Sequence, residues 1–320
     1  MDEFELIQRY FSRLGATRAD VLLGVGDDAA ILRGTDQTDL VAAVDTIVCG
    51  RHFLEGSEAR SIGHRALAVN LSDLAAMGAC PAWAMLSLTL PQAEPDWLEG
   101  FAGGFDELAR AHEVMLVGGD TTAGPLAVSV QIMGHVPHGT ALRREGGREG
   151  DLLAVTGTIG DAGAGLALAT GVLATDDAAA AAELRRRFEY PTPRVEFGLA
   201  ARGLASAAMD LSDGLVGDLP KLAAASGLGA HVDVDRLPLS RALSTVAGPG
   251  SARDFALGGG DDYELLLAVP PARFDALTSR ATALNLTLTP IGELRRGKAV
   301  QWVRGSRSYV PAVLGYSHFR

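Results

Sequence analysis

Ala208-Met-Asp-Leu-Ser-Asp-Gly-Leu-Val-Gly-Asp218 places Asp210, Ser212, Asp213 and Asp218 in one short stretch. The small and apolar residues leading into it predict a buried strand that ends at Asp210. Asp213-Gly214 then opens a helix through Leu215, Leu219, Leu222 and Ala223. A strand that stops on an acid just ahead of a helix N-terminus suits anions and the metal ions that escort them. Asp213 on its own is equally a helix N-cap. The weight of the reading therefore comes from the other acids of the chain.

Those acids recur in similar settings. Asp27 and Asp28 follow a glycine pair in Gly24-Val-Gly-Asp-Asp-Ala-Ala-Ile-Leu32. An apolar run over 40–45 predicts a strand ending on Asp45. Asp73 sits in Asn70-Leu-Ser-Asp73, inside a predicted apolar helix over 57–77 capped by Ser57. A strand over 113–117 is expected to end in Gly118-Gly-Asp-Thr-Thr122, and Gly258-Gly-Gly-Asp-Asp-Tyr-Glu264 leads into a strand over 265–269. Brought together without counter-charge, such carboxylates repel, by roughly 4 kcal/mol for two about 4 Å apart at an effective dielectric of about 20. Lysine occurs only at 221 and 298. Mg²⁺, which takes carboxylate oxygens and bridges to phosphate, is the expected neutraliser. The alternative is that each Asp caps its own helix or turn.

Composition narrows the classes. With 320 residues, 48% of them hydrophobic, the chain can build two ordinary domains. A net charge of −11 argues against nucleic acid and anionic membrane surfaces as partners. Cys49 and Cys80 have no metal-binding spacing, so a reducing, cytoplasmic setting is expected. The acidic start Met-Asp-Glu-Phe-Glu does not read as a targeting segment, and no apolar run of about 18 residues predicts a membrane span. No P-loop, protein-kinase or Gly-x-Ser-x-Gly motif is present. What remains is phosphoryl chemistry organised by metals. Alternating strands and helices predict an α+β or α/β pair of domains, split at the polar connector Arg143–Arg148. The glycine-rich turn Gly160-Asp-Ala-Gly-Ala-Gly165 suits either a phosphate cradle or close helix packing.

Taken together, Gly26-Asp-Asp28, Asp45-Thr46, His52-Phe53, Val69–Gly78, Leu116–Thr122, Met209–Gly214 and Gly259–Leu265 resemble the thiamine-monophosphate kinases. The resemblance runs from Phe4 to Phe319 and extends to a wider superfamily that includes aminoimidazole ribonucleotide synthetase and a hydrogenase maturation protein. It implies a two-domain architecture, with residues 1–140 binding ATP and Mg²⁺ and dimerising through their sheet, and residues 148–320 completing the substrate site. The two domains would differ in fold, so the repeated Leu-Ser-Asp and Gly-Gly-Asp triplets are not a duplication. The implied activity is ATP-dependent phosphorylation of thiamine monophosphate by a cytoplasmic homodimer. The alternatives within the superfamily are an ATP-dependent ligase or cyclase, or a non-catalytic ATP-binding maturation protein.

By the same resemblance, Asp28, Asp45, Asp73, Asp120, Asp210 and Asp213 would hold several Mg²⁺ ions. Gly119, Asp120, Arg144 and Ser212 would contact ATP, and His52, Asp261 and Tyr316 the thiamine monophosphate. Asp120, Asp210 and Arg144 would act on the transferring phosphoryl group. Three positions depart from the family pattern: Ala43-Val44 replace hydroxyl residues before Asp45, and Asp261 stands in place of a glutamate.

Overall fold

The computed structural model describes residues 3–25 and 30–316. The chain divides into two compact units, Met1–Leu74 with Ala79–Gly139, and Ala75–Gly78 with Thr140–Arg320.

The first unit runs α1 (Glu3–Leu6), a π-helical turn (Ile7–Phe11), β1 (Val21–Leu23), β2 (Ile31–Leu32), β3 (Thr38–Val48), α2 (Ala59–Ala76), β4 (Cys80–Leu90), α3 (Pro95–Ala111), β5 (Met115–Ala123) and β6 (Ala127–Pro137). Its main sheet has the order β3-β6-β4-β5, with β4 and β5 parallel and the other pairs antiparallel. Helix α2 has little amphipathic character because it is buried on most sides: Leu67, Leu71 and Leu74 are fully enclosed, as are Leu98, Phe101 and Phe105 of α3. The two helices meet backbone to backbone. A Cβ on Gly63 would fall 2.0 Å from the Phe101 carbonyl oxygen, and one on Gly104 would fall 1.9 Å from that of Arg60. Only glycine fits at that crossing.

Two predicted strand ends move. Strand β3 continues past Asp45, because Thr46, Ile47 and Val48 pair with Ser129, Val128 and Ala127 of β6. Strand β5 continues through Asp120, because Ser87, Leu88 and Thr89 of β4 pair with Asp120, Thr121 and Thr122. Both acids therefore lie within strands. Ladder pairing outweighs the local turn propensity of Gly and Asp.

The second unit runs β7 (Leu152–Thr156), α4 (Asp161–Ala169), α5 (Ala178–Glu189), α6 (Val195–Ala201), β8 (Ala207–Asp210), α7 (Leu215–Ala225), β9 (Gly229–Asp233), α8 (Arg241–Gly258), β10 (Leu265–Val269), α9 (Pro271–Ala283), β11 (Leu288–Arg295), β12 (Val300–Arg304) and β13 (Arg307–Tyr309). Its seven-stranded sheet has the order β13-β12-β9-β11-β7-β10-β8. Only β9 and β12 pair in parallel. Strand β10, Leu-Leu-Leu-Ala-Val, is buried at every residue between β7 and β8, as a continuous apolar run requires. Strand β8 ends on Asp210 as the sequence predicts. Helix α8 is broken by Gly248 (φ 68°, ψ 167°) ahead of Pro249.

Candidate active site

In the second unit, two acid-bearing loops are joined by backbone hydrogen bonds. The Leu211 amide donates to the Glu264 carbonyl at 2.8 Å, the Tyr263 amide to that of Leu211 at 2.9 Å, and the Asp261 amide to that of Ser212 at 2.8 Å. Asp210, Ser212, Asp213 and Asp261 thus lie on neighbouring stretches of chain. The Tyr316 amide donates to the Asp213 carbonyl at 2.9 Å, which brings a third stretch of chain, and with it another expected residue, to the same place. Gly260 permits the close approach: its φ is +66°, and a Cβ there would fall 2.7 Å from the Ser212 carbonyl oxygen.

Asp261 (φ 61°) and Tyr263 (φ 52°) are both left-handed, a conformation that costs a non-glycine residue about 1–3 kcal/mol and is kept where its surroundings enforce it. The acids of this motif have different partners. Asp261 is partly exposed and accepts a hydrogen bond from the Tyr263 hydroxyl at 3.2 Å. Asp262 is buried and accepts from the Gly160 amide at 2.6 Å and the Ala162 amide at 3.2 Å, capping α4. Glu264 is wholly enclosed. Thr156 Oγ1 donates to it at 2.7 Å, Arg187 Nη2 at 2.8 Å and Arg194 Nε at 2.7 Å. The N-terminus of α4 is therefore already occupied by the Asp262 carboxyl group. The glycines beyond it serve packing: a Cβ on Gly163 would meet Gly259 Cα at 2.7 Å, and one on Gly165 the Leu184 carbonyl oxygen at 2.2 Å.

Asp218 fixes the other loop. Its buried carboxylate accepts from the Ser212 amide at 3.1 Å and the Asp213 amide at 2.9 Å. Lys221 Nζ donates to Asp218 Oδ1 at 2.9 Å and to Asp213 Oδ2 at 2.5 Å. Burial pushes the Asp218 carboxyl up, and Lys221 only partly offsets this. Burial also pulls on the Lys221 ammonium, but its hydrogen bonds to Asp213 and Asp218 outweigh that and raise it. Arg144 lies at the other end of β8. The neighbouring Arg143 carbonyl accepts from the Ala208 amide at 2.9 Å, and the Arg144 side chain is exposed.

In the first unit, the Asp45 amide, on edge strand β3, donates to Asn70 Oδ1 at 3.0 Å, and Asn70 Nδ2 donates to the Ala66 carbonyl at 2.9 Å. Asp73 follows one helical turn after Asn70, so Asp45 and Asp73 are carried by a strand and a helix joined at that side chain. Asp120 is placed differently. Sheet registers put Asp45, Val130, Leu86 and Gly119 in one transverse row, and Thr46, Ser129, Ser87 and Asp120 in the next. Successive rows face opposite sides of a sheet, so Asp120 faces away from the side that carries Asp45. Thr46 Oγ1 and Ser129 Oγ, 2.7 Å apart, begin the Asp120 row. His52 Nδ1 accepts from the Val48 amide at 3.0 Å, which leaves the proton of the neutral ring on Nε2. Asp28 lies outside the described residues.

Asp218 and Asp262 were counted among the acids but given no role from sequence, and Asn70, Lys221, Tyr263 and Glu264 were not singled out. For Lys221 a signal existed, its i, i+3 spacing from Asp218. Asn70, Asp262 and Glu264 act through partners distant in the chain, whereas Asp218 and Tyr263 reach residues only two to six positions away. Among the described residues, no three Asp, Glu, His or Cys side chains already form a group able to hold a metal ion. Asp213 and Asp218 share the Lys221 ammonium as counter-charge, and carboxylate oxygens are the donors that Mg²⁺ prefers.

The model for AIR synthase related proteins matches this chain over residues 26–136 with its N-terminal domain and over residues 148–303 with its C-terminal domain. Thiamine-monophosphate kinase of Salmonella typhimurium is 44% identical over 318 residues, covering 99% of this chain and 98% of the relative. The chain belongs to the thiamine-monophosphate kinase family. The crystal structure of thiamine-monophosphate kinase from Stenotrophomonas maltophilia superposes with a TM-score of 0.85 at 49% identity, covering 89% of this chain and 92% of that one. A structure of AaThiL complexed with AMPPCP and TMP superposes with a TM-score of 0.79 at 31% identity, covering 92% of each. Among the described residues, no helix is long and apolar enough to cross a membrane.

Proposed function

We propose that this chain, as a member of the thiamine-monophosphate kinase family, transfers the γ-phosphoryl group of ATP to the phosphate of thiamine monophosphate, giving thiamine diphosphate and ADP. The observation that carries this reading is the pair of joined loops, which sets Asp210, Ser212 and Asp213 beside Asp261. A solved relative with AMPPCP and TMP supports both substrates. The acceptor is already an anion, so no general base is required. The barrier lies in bringing two polyanions into line.

Asp45, Asp73, Asp210 and Asp213, with Asp28, are the residues that would hold Mg²⁺, and Asp120, on the opposite sheet face from Asp45, would hold a separate ion. When bound, Mg²⁺ neutralises phosphate charge and bridges carboxylate to phosphate oxygens. The protein's own part is positional. Asn70 keeps Asp45 and Asp73 on joined elements, Asp218 orients the Ser212 and Asp213 amides, and Tyr263 orients Asp261. Ser212 with Gly119 and Arg144 would contact ATP. Asp261 with His52 and Tyr316 would contact thiamine monophosphate.

Homodimerisation belongs to the same reading. Leu40 (59% exposed) and Val44 (64% exposed) project from β3, and Met85 from β4, on the side of the sheet that carries the Thr46–Asp120 row. An exposed apolar sheet face of this kind suits a second copy of the chain. Cys49 and Cys80 are free thiols, in keeping with a cytoplasmic setting.

The decisive assay follows ADP release with ATP and Mg²⁺, using thiamine monophosphate as acceptor and free thiamine as control. Release that depends on thiamine monophosphate, with thiamine diphosphate as product, is expected. Equal release with both acceptors, or a ligated or cyclised product, overturns the reading.

A further inference from the structure

One of the two lysines in this chain stands among the acids of the proposed site. Lys221 Nζ lies 2.5 Å from Asp213 Oδ2 and 2.9 Å from Asp218 Oδ1. The two acids differ in freedom. Asp218 is buried and committed to the Ser212 and Asp213 amides. The side chains of Asp213 and Lys221 are 29% and 43% exposed, so both have room to move. An ammonium hydrogen-bonded to Asp213 Oδ2 uses lone-pair density that a divalent ion on that oxygen would need and places a like charge beside it.

We propose that Lys221 is a tethered cation that competes with Mg²⁺ for Asp213. Without metal, the ammonium neutralises Asp213 and Asp218 and keeps the loop before α7 folded. Metal enters by displacing Lys221 from Asp213, while Asp218 retains its backbone bonds. Lys221 thereby lowers the affinity of the nucleotide-free protein for divalent ions at this acid. The inference rests on the reading of Asp213 as a metal-bearing residue.

The test is Mn²⁺ binding to the full chain without nucleotide, followed by the electron paramagnetic resonance signal of free Mn²⁺. Lys221→Met removes the charge at similar length, Lys221→Gln keeps a hydrogen-bond donor without charge should the Met variant fail to fold, and Lys221→Arg keeps the charge. Both neutral variants are expected to bind Mn²⁺ about tenfold tighter than the parent, in the usual range for coupling between two bound species, and Lys221→Arg is not. Adding Asp213→Asn to a neutral variant is expected to abolish the gain. Unchanged or weaker binding in a folded neutral variant overturns the competition. If Asp213→Asn alone alters neither Mn²⁺ binding nor turnover, the metal role of Asp213 fails first. If it weakens binding while the neutral variants gain nothing, only the competition fails.

Discussion

The Asp45 amide and the Asn70 carboxamide meet at 3.0 Å, with Asn70 wholly buried. One side chain thus closes an otherwise unpaired N–H on the edge strand and ties it to the helix that carries Asp73. Asn70→Ala is expected to lower stability by about 1–3 kcal/mol, the cost of a buried donor left without a partner, and to weaken divalent-ion binding as well. Asn70→Asp, which keeps the acceptor, should recover part of the stability. Urea denaturation and Mn²⁺ titration of the two variants check this.

Asp210 ends β8 at 6% exposure, between the core strands and the joined loops. Asp210→Asn keeps its size and removes its charge. Its kcat/KM for thiamine monophosphate is expected to fall about 100-fold or more, in line with the loss of a preorganised electrostatic partner, with little change in melting temperature. Full turnover of this variant at limiting Mg²⁺ would remove Asp210 from the site.

Asp262 should give stability a specific dependence on pH. Burial pushes its carboxyl up from 3.8 to about 8, against the Gly160 and Ala162 hydrogen bonds and the charge of Arg187, with Asp161 adding to the rise. Between those two values the folded chain keeps a proton that the unfolded chain has released, so this group lowers stability as pH rises from about 4 to about 8. Asp262→Asn cannot ionise, and its stability curve should be flatter across that window. Thermal unfolding at about pH 5 and about pH 8 is the check, with the parent losing a few degrees more than the variant. Parallel curves would show that Asp262 is ionised in the folded chain throughout.

Val44→Asp places a charge in the middle of the exposed apolar face of β3, opposite Gln131 of β6. In a symmetric dimer built on this face the charge enters twice. Sedimentation velocity is expected to show a dimeric parent and a monomeric variant, with the fold of the chain retained. A variant that stays dimeric locates the interface elsewhere.

Much of the fold was readable from local pattern. Strands β8 and β10 are short apolar runs closed by an acid or opened after glycines, and α2 is a long apolar segment with a recognisable start. Helix α8 was missed because Gly248-Pro249-Gly250 interrupts its middle and reads as a turn. The continuation of β3 and β5 through their acids was missed because it is set by partner strands. At the site, the candidate acids could be picked out, but their supports could not. Arg194 reaches Glu264 across 70 residues, Thr156 reaches it across 108, and Gly160 meets Asp262 across 102. No window of sequence contains such pairs, and no periodicity shows that Asp120 and Asp45 face opposite sides of their sheet.

The two left-handed residues at 261 and 263 have a practical corollary for mutagenesis. Side chains along Gly260-Asp-Asp-Tyr-Glu264 alternate in what they serve, so a scan of single substitutions should give a saw-toothed profile. Soluble yield would be lost at 260 and 264, and at 262 for all but the isosteric Asn, whereas 261 would express normally and fail only in assay. A screen that scores growth alone would merge these two kinds of failure and report one uniformly intolerant motif.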